Sequence, residues 1–301
     1  MFTTVLTCDP RRPTLDATFV EALRNAWGGR DIRWLSEGIA AEFAMPQRRD
    51  PSGLRAGMAD IDVNVVRSDT RRKRLLLADM DSTMIEQECI DELAAEAGIG
   101  DQVAAITARA MNGEIDFEDA LRERVALLRG SPVEAIDRVL AERITYRSGG
   151  ATLLATMKAN GASTVLVSGG FTAFTAKVSE HLGFDHHRAN ELLMRNGVLT
   201  GEAGQPILGK QAKVDELERQ ATALRIGPED VIAVGDGAND LAMLHRAEMG
   251  VALHAKPAVQ AAADLVVNHG DLTALLYLQG YRRDDFVVPT GEPGSPTTQP
   301  R

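Results

Sequence analysis

Residues 75–85 form the stretch LLLADMDSTMI, in which an apolar run ends abruptly in two aspartates. Three consecutive leucines and an alanine predict a strand that is buried on both faces, as in the interior of a parallel sheet. Asp79 and Asp81 then lie at the carboxyl end of that strand, which is the edge where ligands bind in open α/β sheets. This stretch therefore predicts both a fold class and the place of its chemistry.

Asp79 and Asp81 are two positions apart, so their side chains point the same way from an extended strand. One carboxylate can attack phosphorus, while the other gives a proton to the leaving oxygen and later takes one from water. Both repel a phosphate dianion, so the site needs a cation, and oxygen ligands beside phosphate favour magnesium. Ser82 and Thr83 offer hydroxyl and backbone N–H groups to phosphate oxygens. Taken alone, the motif is explained as well by an aspartate-rich turn that caps the strand.

Two more predicted strand ends carry polar groups. Residues 163–168 form a buried strand that ends in the Ser168 hydroxyl, and the glycines that follow permit close approach of the backbone to a ligand. Residues 231–235 form a third strand, which leads into a second aspartate pair that begins at Asp236. Lys213 lies between these strands in sequence, just before or early in a helix. Together these groups predict a metal-assisted phosphoryl-transfer site.

The order DMDST, SGG, lysine and GDGAND resembles the haloacid dehalogenase superfamily of phosphohydrolases. Within it, the chain most resembles the phosphoserine phosphatase family, over about residues 74–281. The matching stretches are DMDSTMIEQECIDELA (79–94), DFEDALRERVALLRG (116–130), LVSGGFTAF (166–174), ANELLMRNGVLTGE (189–202) and VGDGANDLAML (234–244). The resemblance is specific, because other phosphatases of the superfamily share the aspartates but not the ECIDELA and FEDALRERV segments.

The resemblance implies a role for each charged side chain of the motifs. Asp79 would be the nucleophile that becomes an aspartyl-phosphate, and Asp81 would be the general acid and base. Asp236 would complete a magnesium site with Asp79 and with Asp81, whose backbone carbonyl would help to hold the metal. Lys213 would neutralise the phosphoryl group and orient the nucleophile.

The resemblance also implies how substrate is recognised. Glu88 would bind the amino group of phosphoserine, and Arg124 its carboxylate, which a planar guanidinium can bind through both oxygens. Without the resemblance, each would be interpreted as an ordinary charged residue of a helix. The resemblance further implies that Ser168 and Gly169 form a phosphate-binding turn and that Met111 and Phe117 line an apolar pocket. Asn239 would contribute an amide from the second acidic loop.

The composition is that of a water-soluble globular protein. The chain has 301 residues, of which 44% are hydrophobic and 25% charged, and its net charge of −10 argues against a nucleic-acid partner. Cys8 and Cys89 are the only cysteines, which excludes a disulfide framework and agrees with a reducing cytoplasm. The sequence predicts no signal peptide and no membrane span, because it has neither a charged leader before a long apolar stretch nor 18 consecutive apolar residues.

Residues 1–67 predict a small α+β unit of the order βαββ(α)β, with a helix from Thr14 to about Ala26 and a weak one near 52–58. This order resembles the ferredoxin-like ACT regulatory domain that some phosphoserine phosphatases carry. The segment has no ligand signature. A structural or dimerisation role explains this segment at least as well as amino-acid sensing does. With a dimerisation role, the protein would be a homodimer.

Residues 68–288 predict the phosphatase unit, an α/β Rossmann-like parallel sheet with an all-helical cap inserted after the first strand. Its core would comprise 74–85 and 148–284, and the cap about 86–147, with a helix starting at Ser131-Pro132-Val133-Glu134. Asn196-Gly197 predicts a tight hairpin. Residues 289–301 are rich in Pro, Gly and Thr, which predicts a disordered tail.

These predictions combine into a magnesium-dependent hydrolase of O-phospho-L-serine, which would act in the last step of serine biosynthesis. One alternative is a related phosphatase or phosphotransferase that uses the same site on another small phosphomonoester. The other alternative is an amino-acid sensor without catalysis, against which the intact pair of Asp79 and Asp81 argues.

Overall fold

A computed structural model gives the structure of the protein and describes residues 1–55, 57–111 and 114–290. The structure describes the helical backbone of Met111 but not its side chain. The predicted disordered tail, 289–301, lies outside them from position 291 onward.

The central sheet has six parallel strands. In chain order these are β5 (Leu75–Ala78), β6 (Ser163–Phe171), β7 (His186–Asn190), β10 (Val231–Gly235), β11 (Met249–Leu253) and β12 (Leu265–Val267). Their spatial order is β12-β11-β10-β5-β6-β7. A separate hairpin is formed by β8 (Leu192–Arg195) and β9 (Val198–Ala203). The α/β class with a parallel sheet is therefore confirmed.

The register of the sheet brings three strand ends to one edge. Strand β5 lies between β6 and β10, and its four residues have no exposed surface. Its last residue, Ala78, pairs with Leu166 of β6 and with Val234 of β10. The residues that follow β5 and β10 must therefore meet the last residues of β6, although more than 150 positions separate β5 from β10.

Four helices follow β5, and a fifth leads into β6. They are α3 (Cys89–Glu96), α4 (Gly100–Met111), α5 (Phe117–Leu127) and α6 (Glu134–Glu142), and α7 (Gly150–Ala159) follows. The remaining helices are α8 (Thr172–Leu182), α9 (Lys210–Leu224), α10 (Leu241–Arg246), α11 (Pro257–Ala262) and α12 (Ala274–Leu278). The predicted limits of the cap, about 86–147, stay a prediction.

Two predicted turns have different outcomes. Asn196 and Gly197 both have positive φ, 53° and 79°, so the hairpin prediction is confirmed. Helix α6 begins at Glu134, within the predicted start at 131–134, but Ser131 does not cap it: Val133 precedes the helix and makes no side-chain capping hydrogen bond. Pro132 instead pairs with Val198, the first residue after the hairpin turn. The contact between hairpin and helix is long-range, so a local capping pattern could not reveal it.

The N-terminal unit is an antiparallel sheet in the order β2-β3-β1-β4. Its elements are β1 (Phe2–Thr7), α1 (Ala17–Trp27), β2 (Arg30–Ser36), β3 (Ala40–Met45), α2 (Ser52–Arg55) and β4 (Asp62–Arg67). The predicted βαββ(α)β order is confirmed. The start of α1 at Thr14 is wrong, because Asp16 caps the helix by accepting a hydrogen bond from Thr18 N.

The two faces of this N-terminal sheet have different partners. On one face, Leu6 and Val63 belong to an apolar cluster with residues of α1. On the other face, Val5 and Val66 belong to the same buried cluster as residues of the central sheet and α12. The second face of the N-terminal sheet therefore shares a core with the rest of the protein, while the first face has an apolar cluster of its own.

Candidate active site

The first strand end carries Asp79, which is 5% exposed and hydrogen-bonds through its N–H to Val234 O at 3.0 Å. Lys213, in the first turn of α9, places its Nζ 2.6 Å from Asp79 Oδ1. The same Nζ lies 2.6 Å from Asp240 Oδ1, and Asp240 is completely buried. Lys213 is itself 2% exposed, so it is a buried cation held between two carboxylates rather than a surface lysine.

More than one carboxylate lies near the single ammonium group of Lys213. Asp79, Asp236 and Asp240 each place a ligand oxygen within 4.8 Å of the others. Burial and the charge of Asp240 raise the pKa of Asp79 well above its ordinary value, against the opposing effect of Lys213. Burial and Asp240 also raise the pKa of Asp236. Three carboxylates and one ammonium leave a net negative charge, and this all-oxygen donor set fits a divalent cation such as magnesium.

Asp81 has different partners from Asp79. Its Oδ2 accepts a hydrogen bond from Ser168 Oγ at 3.0 Å, and its Oδ1 accepts one from Cys89 N at 2.8 Å. The side chain of Asp81 is thus held by the second strand end and by the first N–H of α3. The third carboxylate of the acidic cluster, beside those of Asp79 and Asp236, comes from Asp240 and not from Asp81.

Residues 168–170, which the sequence placed at and after a strand end, lie within β6, which extends to Phe171 past a register shift, and they pack tightly around Asp81. Gly170 N donates to Ser168 Oγ at 2.8 Å. A Cβ on Gly170 would lie 3.0 Å from both Asp81 Oδ2 and Ser168 Oγ, so only glycine fits without displacing them. Gly169 lies against the Phe117 ring, because a Cβ there would come within 3.2 Å of Phe117 Cζ. Gly169 at this edge of the sheet therefore contacts Phe117, the first residue of α5.

Glu88 is brought to the same place by the start of α3. It precedes the helix as its N-terminal flanking residue, and its Oε1 accepts a hydrogen bond from Ser82 Oγ at 2.8 Å. Burial and the nearby charge of Asp81 raise the pKa of Glu88 to about 7. A carboxylate whose ionised form is destabilised in this way is suited to bind a cationic group, which would restore its charge.

Arg124 contributes the opposite charge. It lies in α5 and donates from Nε to Ala120 O at 3.2 Å. Burial lowers the pKa of Arg124, while the charges of Asp91 and Glu88 act in the opposite direction. Arg124 therefore interacts electrostatically with Glu88 and with Asp81. The predicted roles of Glu88 and Arg124 in substrate binding stay predictions.

Three predicted site residues remain, Phe117, Asn239 and Met111. Phe117 is 39% exposed and its ring lies against Gly169. Asn239 is exposed, beside Gly237 in the second acidic loop. Met111 ends α4, and its side chain lies outside the described residues, so its predicted place in the pocket stays a prediction.

Asn190, at the end of β7, was not singled out from the sequence. It is 2% exposed, donates from Nδ2 to Gly169 O at 2.8 Å, and accepts from Leu208 N at 2.6 Å. Asn190 therefore links Gly169 of β6 to the loop before α9, the helix that carries Lys213. The signal that could have found it was its place in the matching stretch 189–202, of which it is the second residue.

Comparison with known proteins identifies relatives of this chain. A model of the family described as haloacid dehalogenase-like hydrolase matches residues 76–245. The phosphoserine phosphatase of Archaeoglobus fulgidus is 43% identical over 241 residues, which cover 80% of this chain and 69% of the relative. That of Lactococcus lactis is 46% identical over 204 residues, 68% of this chain and 94% of the relative. The match to that of Streptomyces coelicolor, 43% identical, covers 82% of this chain and 62% of the relative.

Solved structures show the same similarity. A haloacid dehalogenase family hydrolase of Salmonella enterica has a TM-score of 0.82 at 30% identity and covers 92% of this chain and 98% of its own. A phospho-aspartyl intermediate analogue of phosphoserine phosphatase has a TM-score of 0.63 at 40% identity, covering 68% and 98%. A substrate-bound phosphoserine phosphatase complex has a TM-score of 0.64 at 39% identity, with the same coverage.

Proposed function

This chain belongs to the haloacid dehalogenase-like hydrolases, and on that premise we propose that it hydrolyses O-phospho-L-serine to L-serine and phosphate. The observation that carries the proposal is that Glu88, which accepts a hydrogen bond from Ser82 next to Asp81, and Arg124, of opposite charge, both interact electrostatically with Asp81. The phosphoryl group of any phosphomonoester could be handled by the strand ends alone. An acid and a base next to them suit a leaving group with an ammonium and a carboxylate.

We propose that Asp79 attacks phosphorus while Asp81 protonates the serine oxygen. The bond between phosphorus and the serine oxygen breaks, and serine leaves as an alcohol with the proton of Asp81. Asp81 then takes a proton from water, which attacks the aspartyl-phosphate and releases phosphate. Ser168 and the main-chain N–H of Cys89 hold Asp81 at the leaving oxygen throughout.

The residues present fit a magnesium ion. Asp79, Asp236 and the main-chain carbonyl of Asp81 would hold it, and when bound it would neutralise charge on the phosphoryl oxygens. Lys213 keeps the Asp79 carboxylate oriented and adds a second positive charge. Asp240 keeps Lys213 in place, because it accepts from Nζ through one oxygen and from Gly237 N through the other.

We place this reaction in the cytoplasm, where phosphoserine would be the small-molecule partner and its product serine would supply biosynthesis. No helix among the described residues has both the length and the apolar character to cross a bilayer. Cys8 and Cys89 are both buried and unpaired. A homodimer is a further proposal, which sedimentation equilibrium of the full chain tests.

Phosphate release from a panel of phosphomonoesters, each with magnesium and with excess chelator, tests the proposed function. We expect phosphoserine to give the highest kcat/KM, and chelator to abolish turnover until magnesium is restored. Preference for another small phosphomonoester would favour the related phosphatase or phosphotransferase. Binding of serine without any turnover would favour the sensor.

A further inference from the structure

Arg147 makes an unusual set of contacts with the loop that follows the nucleophile. Its Nε donates to Thr83 O at 2.9 Å and its Nη2 to Ser82 O at 2.8 Å. Its main-chain N–H donates to Met84 O at 3.0 Å. Three successive carbonyls of this loop therefore accept hydrogen bonds from one residue, which stands where the helical insert returns to the core.

The carbonyls that Arg147 holds belong to residues whose hydroxyls reach the site. Ser82 Oγ donates to Glu88, and Thr83 Oγ1 donates to Asp236 Oδ1 at 3.1 Å. Ser82 has a φ of 55°, in the left-handed region that costs a residue other than glycine about 1–3 kcal/mol. A conformation of that kind persists only when its surroundings determine it, and the Arg147 guanidinium supplies two of the contacts that do so.

We infer that Arg147 is a positioning residue for phosphoserine hydrolysis, which acts on Glu88 through Ser82 and on Asp236 through Thr83. This inference rests on the proposed function. A planar guanidinium can bond two neighbouring carbonyls at once, whereas a lysine ammonium on its flexible stem cannot reproduce that fixed geometry. Thr83 is completely buried, so its carbonyl would find no easy replacement for the lost donor.

Steady-state kinetics of Arg147→Met and Arg147→Lys test the inference, with phosphoserine and p-nitrophenyl phosphate as substrates. We expect Arg147→Met to lower kcat/KM for phosphoserine by about tenfold or more, the scale of one lost charge-assisted hydrogen bond. The loss should be smaller for p-nitrophenyl phosphate, which has no group for Glu88 to bind. The magnesium concentration for half-maximal activity should rise, and Arg147→Lys should lie between the wild type and Arg147→Met.

Arg138→Met is the matched control, because Arg138 lies in the same insert and pairs only with Glu96 among the described contacts. It should keep wild-type kinetics. Equal losses on both substrates with an unchanged magnesium requirement would overturn the inference. If Arg147→Met does not fold, wild-type kinetics in Arg147→Lys would overturn it. A wild-type protein that does not hydrolyse phosphoserine would instead overturn the proposed function, whatever the variants do.

Discussion

At the scale of single residues, the two aspartates of the opening motif differ in what surrounds them. Asp79 is paired with a buried lysine, and Asp81 accepts hydrogen bonds from a hydroxyl and a main-chain N–H. Lys213 orients the Asp79 carboxylate for the proposed attack, and its positive charge opposes the rise that burial and Asp240 cause in the pKa of Asp79. The two neutral donors fix the position of Asp81 for its proposed role as acid and base.

Asp81→Asn should separate the two chemical steps. p-Nitrophenolate leaves without a proton, so phosphorylation of Asp79 by p-nitrophenyl phosphate should survive. Hydrolysis of the phosphoenzyme should slow by about 10²–10⁴ because the base is missing. Stopped-flow absorbance should therefore show a burst of p-nitrophenol and then a slow steady state. A burst in Asp79→Asn, and none in Asp81→Asn, would reverse the two roles.

Arg124→Ala should raise KM for phosphoserine much more than for p-nitrophenyl phosphate, which has no carboxylate. Loss of the contact could cost about 2–5 kcal/mol of binding. Arg122→Ala is the matched control, since Arg122 lies in the same helix and pairs with the exposed acids Glu118 and Asp119. Equal losses on both substrates would show that Arg124 is structural.

The pH dependence of substrate preference should follow Glu88. Burial first, and then the charge of Asp81, raise its pKa from 4.5 to about 7, so the ionised form that binds an ammonium predominates only above that pH. The ratio of kcat/KM for phosphoserine to that for p-nitrophenyl phosphate should therefore rise through about pH 7. Taking the ratio removes the titration of the enzyme groups that act on both substrates.

Glu88→Gln should flatten this profile, and a profile that keeps its rise in that variant would contradict the assignment. The same shift affects stability with a definite sign. The folded state holds the Glu88 proton where the unfolded state has lost it, so the free energy of unfolding falls as pH rises from about 4.5 to about 7.

The sequence predicted the carboxylates and the lysine because their spacing relative to buried strands is a local pattern. It could not predict Asn190 or Arg147, whose importance lies in contacts with residues distant along the chain. Glu88 and Arg124 were predicted only through the resemblance, because a charged residue on a helix has no local signature of substrate binding.

At the scale of elements, the buried strands and the Asn-Gly hairpin follow from their own residues, but two helix starts do not. Asp16 and not Thr14 caps α1, because the helix begins at Ala17 and the capping residue is the one directly before it. Ser131 loses its capping role because the preceding and following residues pair with the hairpin. Local patterns predict an element, and contacts between elements set its ends.

The junction of the N-terminal sheet with β12 gives a prediction at this scale. Asp62 is 4% exposed and accepts hydrogen bonds from the three successive main-chain N–H groups of residues 268–270 at 2.7–3.0 Å. Asp62→Ala would leave those groups without partners and should lower the free energy of unfolding by about 3 kcal/mol. Urea unfolding measures this, with the exposed Asp60→Ala as control. Equal midpoints for the two variants would contradict the account.

At the scale of the whole molecule, the order of strands and helices was predictable, but the packing of the N-terminal unit on the catalytic core was not. Asn64 illustrates the reason. Its side chain donates to Val266 O at 2.8 Å and accepts from Val266 N at 2.9 Å, across 202 positions of sequence. An asparagine in a strand gives no sign of such a partner. The docked face therefore became visible only in the folded chain.

The most direct test of the central claim is to trap the phosphoenzyme on Asp79. Borohydride reduces an acyl phosphate to the alcohol, so an aspartyl-phosphate becomes homoserine at its position. Protein mixed with phosphoserine and magnesium, quenched during turnover and reduced, should carry homoserine at position 79 when its peptides are analysed by mass spectrometry. Homoserine at another aspartate, or phosphate release with no homoserine at position 79, would contradict the account.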